Sequence, residues 1–306
     1  MQQRDIHNWV LSRDWDASGH SLSITDHHAE DLFNARELLL SALHHEQSFA
    51  SVGENYYEFE ESRHSLGLRH SPAQPDTMSD RWHRTYEIGR RLNNLLASCR
   101  FYLDFSKQRT GKELNLKSVI ASEVEEVSKK YYDASFSYRL MEALRNYMQH
   151  RGMPIEGLVF DMGWTGPREH GGQYKKSVEL SVSVDQLRDD CNFKRSVAGE
   201  LEDHAKKGKL KLVSHIKSYV SDLYMLHDCA RNRSVGLVDN ALDLVATSIK
   251  SAARSDSQPM EYCYLIDMES PSDSSRQFLH AGWAVRLRYL RSAYEHLKLA
   301  SDQVTA

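Results

Sequence analysis

Residues 136–154 read FSYRLMEALRNYMQHRGMP and form the most clearly bounded helix pattern in the chain. Apolar residues recur there at helical spacing and share one face: Phe136, Leu140, Leu144 and Tyr147. The pattern stops at Gly152-Met153-Pro154, because glycine suits the backbone turn beyond a helix end and proline cannot continue a helix. We therefore predict an amphipathic helix that ends close to His150.

Three further helical patterns precede this helix. The first covers about Asp26 to His64, as one long helix or two stacked ones, with Asp26 as its N-cap. The second has a stripe of apolar residues: Trp82, Tyr86, Leu92, Leu95, Cys99 and Tyr102. The third starts near Asn115. Because short connections join the four helices, we predict an antiparallel helical bundle over residues 1–152.

The residues after this bundle change their period. Apolar and polar residues alternate from Val178 to Val184, which predicts a half-buried strand, and residues 155–162 are its expected antiparallel partner. Helical patterns then return, and we predict helices over residues 213–223, 235–249 and 275–299. A short strand is predicted over residues 262–266, between the last two of these helices. The expected fold class is mainly α, with residues 153–306 forming a β-hairpin and a C-terminal helical region packed on the bundle.

Composition limits the function classes. The chain has 306 residues and a formal net charge of −4, so any RNA contact is expected to be local, because coating nucleic acid needs a basic surface. Its four cysteines lie far apart, which favours a reducing compartment over a disulfide framework. No secretory signal opens the sequence, and no apolar run approaches the roughly 20 residues that span a bilayer. We therefore expect a soluble, cytoplasmic protein without membrane contact.

The fourth helix carries the chemistry. Arg145 and Asn146 are followed by His150 near its end, and this Arg-Asn-x-x-x-His sequence resembles the signature of the HEPN superfamily. The resemblance covers about Asp80 to His150. It implies a ribonuclease of the kind found among toxins and antiviral defence effectors, with the Arg and His as catalytic pair in a site completed by a homodimer. RNA is then the implied substrate, and an antitoxin or another defence protein is a candidate partner.

The specificity of this match rests on the asparagine and on the position in the bundle. The Arg-to-His spacing alone is expected about once by chance in such a chain, and a second copy occurs at Arg291 and His296. Around an ideal helix, Arg145 lies about 140° from His150. The two side chains therefore converge only through an unwound last turn, a folded-back arginine or a second subunit, and the dimeric site of the family would supply the last of these.

The three residues suit RNA cleavage without a metal or another cofactor. Arg145 offers a planar, permanently charged fork for a phosphate. His150 lies where the negative end of the helix dipole favours the imidazolium, so it can pass protons. The RNA 2′-hydroxyl would attack its own phosphorus and leave a cyclic phosphate, while Asn146 would orient His150 or bind a phosphate oxygen. The predicted catalytic residues are therefore Arg145, His150 and Asn146.

Other interpretations of the motif stay open. Arg145 could pair with Glu142 or Glu125, and His150 could cap helix carbonyls, which would leave a structural helical adaptor. The motif could also hold a nucleotide, an RNA end or a protein without cutting. The tyrosine that one toxin branch carries two positions after the histidine is absent, because Gly152 stands there. Its modification by a partner nucleotidyltransferase is therefore not implied.

Three other groups of residues have simpler explanations. The lysines between Lys206 and Lys211 are interpreted as a solvated helix end. Arg291 and His296 lack the asparagine and a following helix breaker, so they are interpreted as surface groups. Glu61 and His64 have the spacing of a di-iron helix, but the second such pair is missing, so we predict no metal site there.

Overall fold

A computed structural model of the chain describes residues 8–70, 77–108, 116–164, 166, 172, 174–255, 260–269 and 276–298. Over these residues the protein is mainly helical with small antiparallel sheets, which confirms the predicted class at this level. The chain forms two compact units: Met1–Gln47, Gln108–Ser122 and Ala230–Ala293 in the first, and Ser48–Lys107, Glu123–Cys229 and Tyr294–Ala306 in the second. The boundary at residues 152–153 stays a prediction, as does the HEPN-like bundle.

Helices dominate the described residues. The long ones are α1 (Asp26–Arg69), α2 (Met78–Ser106), α3 (Leu116–Ala134), α4 (Phe136–Arg151) and α8 (Val213–Ser255). The short ones are α5 (Val184–Asp189), α6 (Arg195–Ala198), α7 (Leu201–His204), α9 (Gly282–Ala293) and a 3-10 helix over Glu295–Lys298. Both α1 and α8 are continuous, although the sequence left a break in the first open and suggested two runs for the second.

The first unit contains a four-stranded antiparallel sheet. Its order is β2 (Ser21–Ile24), β1 (Trp9–Ser12), β6 (Tyr262–Asp267) and β7 (Arg276–His280). Arg36 of α1 donates from Nε to the carbonyl oxygen of Phe278 in β7 at 3.2 Å, which ties a helix of this unit to the sheet edge. The helix predicted over 275–299 was wrong at its start, because residues 276–280 pair with β6 and α9 begins only at Gly282.

The second unit contains the predicted β-hairpin. Strand β3 (Ile155–Trp164) pairs antiparallel with β4 (Tyr174–Ser183), which in turn pairs with β5 (Lys209–Lys211). The prediction of a helix end at the lysine cluster was wrong. Lys207 and Gly208 both adopt positive φ, 52° and 71°, and Lys206 pairs with Lys209, so the lysines form a tight two-residue turn.

The core of the second unit forms around α2 and α4, which pack against each other. Leu92, Leu95 and Cys99 of α2 are fully buried, as the sequence predicted. Phe49 of α1 stacks on His227 of α8 with ring centroids 4.2 Å apart, and the Tyr102 hydroxyl lies 3.2 Å from His227 Nδ1. Helix α2 thus packs both against this aromatic cluster and against α4, the helix that carries the Arg-Asn-x-x-x-His motif.

Candidate functional site

Both ends of α4 are defined by hydrogen bonds. At its start, the Ser135 hydroxyl accepts from the Tyr138 N–H at 3.2 Å. At its end, the Gly152 N–H donates to the Met148 carbonyl oxygen at 3.2 Å, with Gly152 at a φ of 95° that favours glycine. The predicted end of the helix is therefore confirmed. It places His150 in the last turn and Arg145 more than one turn earlier.

Arg145 is half-buried. Its Nη1 donates to the Asn146 side-chain oxygen at 3.0 Å. Its Nε is buried and has no hydrogen-bond partner among the described residues. A buried guanidinium nitrogen that lacks an acceptor carries a free-energy cost.

The acidic residues that could have neutralised Arg145 are engaged elsewhere. Glu142 accepts from Arg100 Nη1 at 3.3 Å and from the Tyr219 hydroxyl. Glu125 pairs with Lys129 at 3.2 Å. Within the part of the chain that the structure describes, neither carboxylate forms an ion pair with Arg145. The positive charge of this arginine is thus left with an amide oxygen as its partner.

His150 is exposed, and the backbone of Gly152 supplies the helix cap in its place. No hydrogen bond among the described residues joins His150 to Arg145. The five-residue separation sets the two about 140° apart around α4, with Asn146 between them in angle. One chain therefore brings together Arg145 and Asn146, and it leaves the imidazole apart from the guanidinium.

A groove beside the end of α4 was not predicted. We call it the aromatic groove; it has a volume of about 530 Å³, and α2 lines it with Trp82, Tyr86 and Arg90. On the other side it is lined by Met148, Gly152 and Met153. The groove thus begins within the last turn of the motif helix.

The two aromatic residues of this groove correct the sequence analysis. Trp82 is 75% exposed and Tyr86 is 65% exposed, whereas both were expected in the buried stripe of α2. The reason lies in the helical period: Trp82 and Tyr86 share a face with Arg90 and Asn93, which are polar. That alignment of exposed aromatic residues with an arginine is the signal that could have revealed the groove.

The other motifs have structural explanations. Arg291 was interpreted as a surface group, but it is half-buried and donates from Nε to Glu46 at 3.2 Å, a carboxylate that Arg231 also binds. In the second unit, His296 stacks on Tyr57 with ring centroids 5.1 Å apart. The described residues include no cluster of three or more histidine, cysteine or acidic side chains that could hold a metal ion.

Comparisons with protein-family models, with curated proteins and with solved structures found no match to this chain. Across the described ranges, none of the helices combines the length and the apolar character that a membrane span requires.

Proposed function

We propose that the protein is a metal-independent endoribonuclease of HEPN type that acts as a homodimer, in a toxin or antiviral defence role. One observation carries this proposal. Arg145 and His150 both reach solvent in the C-terminal half of α4, and in the described part of the chain neither forms an ion pair. A guanidinium and an imidazole in this state are available to a phosphate and to a proton transfer.

The chemistry follows from the two side chains. Arg145 binds the scissile phosphate and stabilises the negative charge that grows on its oxygens. The RNA 2′-hydroxyl loses its proton and attacks phosphorus, the bond to the 5′-oxygen breaks, and a 2′,3′-cyclic phosphate and a 5′-hydroxyl result. His150 accepts the first proton or donates the proton that the leaving oxygen takes up. Asn146 holds the arginine through its side-chain oxygen.

The angle between Arg145 and His150 is the reason for a dimer. A two-fold axis near the end of α4 would set the histidine of one chain beside the arginine of its partner, and it would create two equal composite sites. Both residues are accessible enough to enter such an interface.

The aromatic groove supports single-stranded RNA as the substrate. Unstacked bases bind to exposed aromatic rings, and an arginine beside the rings favours the backbone. Trp82 and Tyr86 lie four residues apart on α2 with Arg90 next on the same face. The groove reaches Met148 and Gly152, so a bound strand would extend to the motif.

The test is cleavage of fluorescent single-stranded RNA and of total RNA by purified protein. We expect cleavage with a cyclic phosphate end, and a loss of at least about a hundredfold in Arg145→Ala and in His150→Ala. Gln149→Ala is the matched control, because Gln149 is exposed on the same turn but outside the motif. A wild-type dimer that leaves RNA intact, or variants that cut as fast as the control, would overturn the proposal.

The angle of about 140° between Arg145 and His150 around α4 favours a second candidate function. A HEPN-like module could bind a nucleotide, RNA or a protein through Arg145 and Asn146 without cutting. In that case RNA would be bound and recovered intact, and Arg145→Ala would weaken binding whereas His150→Ala would not.

A further inference from the structure

A second opening in the same unit carries an excess of positive charge. We call it the basic cleft; it has a volume of about 360 Å³ and lies between the ends of α2 and α3 and the middle of α4. Its charged residues are four cations and two carboxylates: Arg100, Lys107, Lys129, Lys194, Asp133 and Glu142. This local excess contrasts with the net charge of −4 on the chain.

Two of the four cations already have acidic partners. Arg100 pairs with Asp104 at 2.8 Å and with Glu142 at 3.3 Å. Lys129 pairs with Glu125 at 3.2 Å. Their charges are therefore largely balanced inside the protein.

The other two cations, Lys107 and Lys194, form no ion pair with any carboxylate among the described residues. Lys194 is held by Tyr132, because its ammonium lies 4.5 Å from the ring centroid and contacts the hydroxyl. Lys107 is exposed, but its ammonium group is partly surrounded by protein. This burial, followed by the charge of Arg100, lowers the pKa of Lys107. Neither ammonium group therefore lies within ion-pair distance of a carboxylate among the described residues, although Glu142, Asp104 and Glu125 attract that of Lys107 from farther away.

The carbonyl oxygens at the end of α3 do not explain Lys194. The carbonyl oxygens of Tyr132 and Asp133, at the end of α3, accept from Arg139 Nη1 at 2.7 and 2.8 Å. Arg139 is itself bound by Glu200 at 2.5 Å. Since an arginine already compensates the negative end of α3, the ammonium group of Lys194 is available for an external anion; Lys107, the C-cap residue of α2, also lines the cleft.

We propose that the basic cleft binds a phosphate group, with the ammonium groups of Lys107 and Lys194 as its charge partners. The phosphate belongs to a nucleic-acid backbone or to a small phosphorylated molecule, because both present the same oxygens. Asn146 lines the cleft and also binds Arg145. If the proposed cleavage holds, the cleft binds an RNA phosphate next to the one that is cut. This assignment of the ligand as RNA rests on the proposed function.

The binding test uses a ligand that cannot be cleaved. A fluorescein-labelled oligodeoxythymidylate lacks the 2′-hydroxyl, so its anisotropy reports binding whether or not the protein is a nuclease. We expect Lys107→Gln and Lys194→Gln each to weaken binding about fivefold at low salt. Each variant should also reduce, by about one, the steepness with which the logarithm of the association constant falls with the logarithm of the salt concentration. Lys130→Gln is the control, because Lys130 lies on α3 outside the cleft and pairs with Glu126.

A second arm separates the two sources of phosphate. Inorganic phosphate and adenosine diphosphate are titrated by calorimetry into wild type and both cleft variants. Binding of the oligonucleotide with the expected losses supports a backbone site, whereas binding of the small ligands alone, with the same losses, supports a site for a phosphorylated metabolite. If both cleft variants, folded by circular dichroism, bind every probe within twofold of wild type, the proposal is overturned. Inactivity on RNA would end the cleavage proposal and leave this site standing.

Discussion

The carboxyl group of Asp222 gives the sharpest test of how α4 is held. Asp222 is half-buried on α8, and its Oδ2 is buried with no hydrogen-bond partner among the described residues. Burial raises its pKa from 3.8 to about 6, and a hydrogen bond from Ser135, the N-cap of α4, opposes the shift. A carboxylate at this position is therefore destabilising at neutral pH.

The size of the expected change in stability follows from the shift in the pKa of Asp222. A rise from 3.8 to about 6, at about 1.4 kcal/mol per pKa unit, corresponds to about 3 kcal/mol lost between low and neutral pH. Because part of the residue reaches solvent, we expect about 1–2 kcal/mol. The raised pKa means that the folded state keeps the proton longer. This contribution is therefore fully present below pH 3.8 and disappears as the pH rises through about 6.

The change to make is Asp222→Asn, which keeps the shape and removes the charge. Urea unfolding followed by circular dichroism should show equal stability of the variant and wild type near pH 4, and a gain of about 1–2 kcal/mol above pH 7. Asp239→Asn is the control, because Asp239 is exposed on the same helix. A gain that is absent, or that is equal at every pH, would refute the burial of this carboxylate.

Three further predictions concern stability and binding. Burial, and to a smaller extent the charge of His204, lower the pKa of His215 to about 4. The free energy of unfolding should therefore fall by about 1–2 kcal/mol as the pH is lowered from 6.5 to 4, because the unfolded state binds the proton first. The variant His215→Asn should not show this fall. A Cβ at Gly53 would lie 2.3 Å from the Tyr294 ring, so Gly53→Ala should cost about 1–3 kcal/mol in urea unfolding. Trp82 is 75% exposed, so Trp82→Ala should leave stability unchanged and weaken oligonucleotide binding by about 1–3 kcal/mol in anisotropy titrations.

The glycine and tryptophan predictions each have a control in the chain. Gly236 has open space where a Cβ would be built, so Gly236→Ala should stabilise α8 slightly, by up to about 1 kcal/mol. Phe101 is 55% exposed on α2 and does not line the aromatic groove, so Phe101→Ala should bind RNA like wild type. Equal losses of oligonucleotide affinity in Phe101→Ala and Trp82→Ala would count against the aromatic groove. A free energy of unfolding that does not change below pH 6.5 would count against a buried, neutral His215.

Sequence predicted the elements whose signals are local. The end of α4 at Gly152 and the hairpin of β3 and β4 follow from a turn residue, a helix breaker and a period of two, and the structure confirms them. The strand β1 could not be found this way. It has only four residues, and its two neighbours in the sheet are the equally short β2 and, at register Trp9 to Asp267, β6 near the other end of the sequence.

The candidate site was predictable only in part. The sequence located Arg145, Asn146 and His150 on one helix, and it gave the angle between them from the helical period. It could not show that Glu142 is taken by Arg100, because that pair joins two helices that meet only in the folded unit. The exposure of Trp82 and the basic cleft could not be predicted for the same reason, because both depend on which side of each helix is covered by neighbouring helices.

In the proposed dimer, the arginine of one chain works with the histidine of its partner. Co-expression of Arg145→Ala and His150→Ala chains with different tags yields mixed dimers that can be purified. In a mixed dimer one composite site keeps both residues and the other loses both, so we predict about half the wild-type RNA cleavage rate from two dead parents. Mixed dimers as inactive as either parent, beside an active wild type, would contradict the shared site.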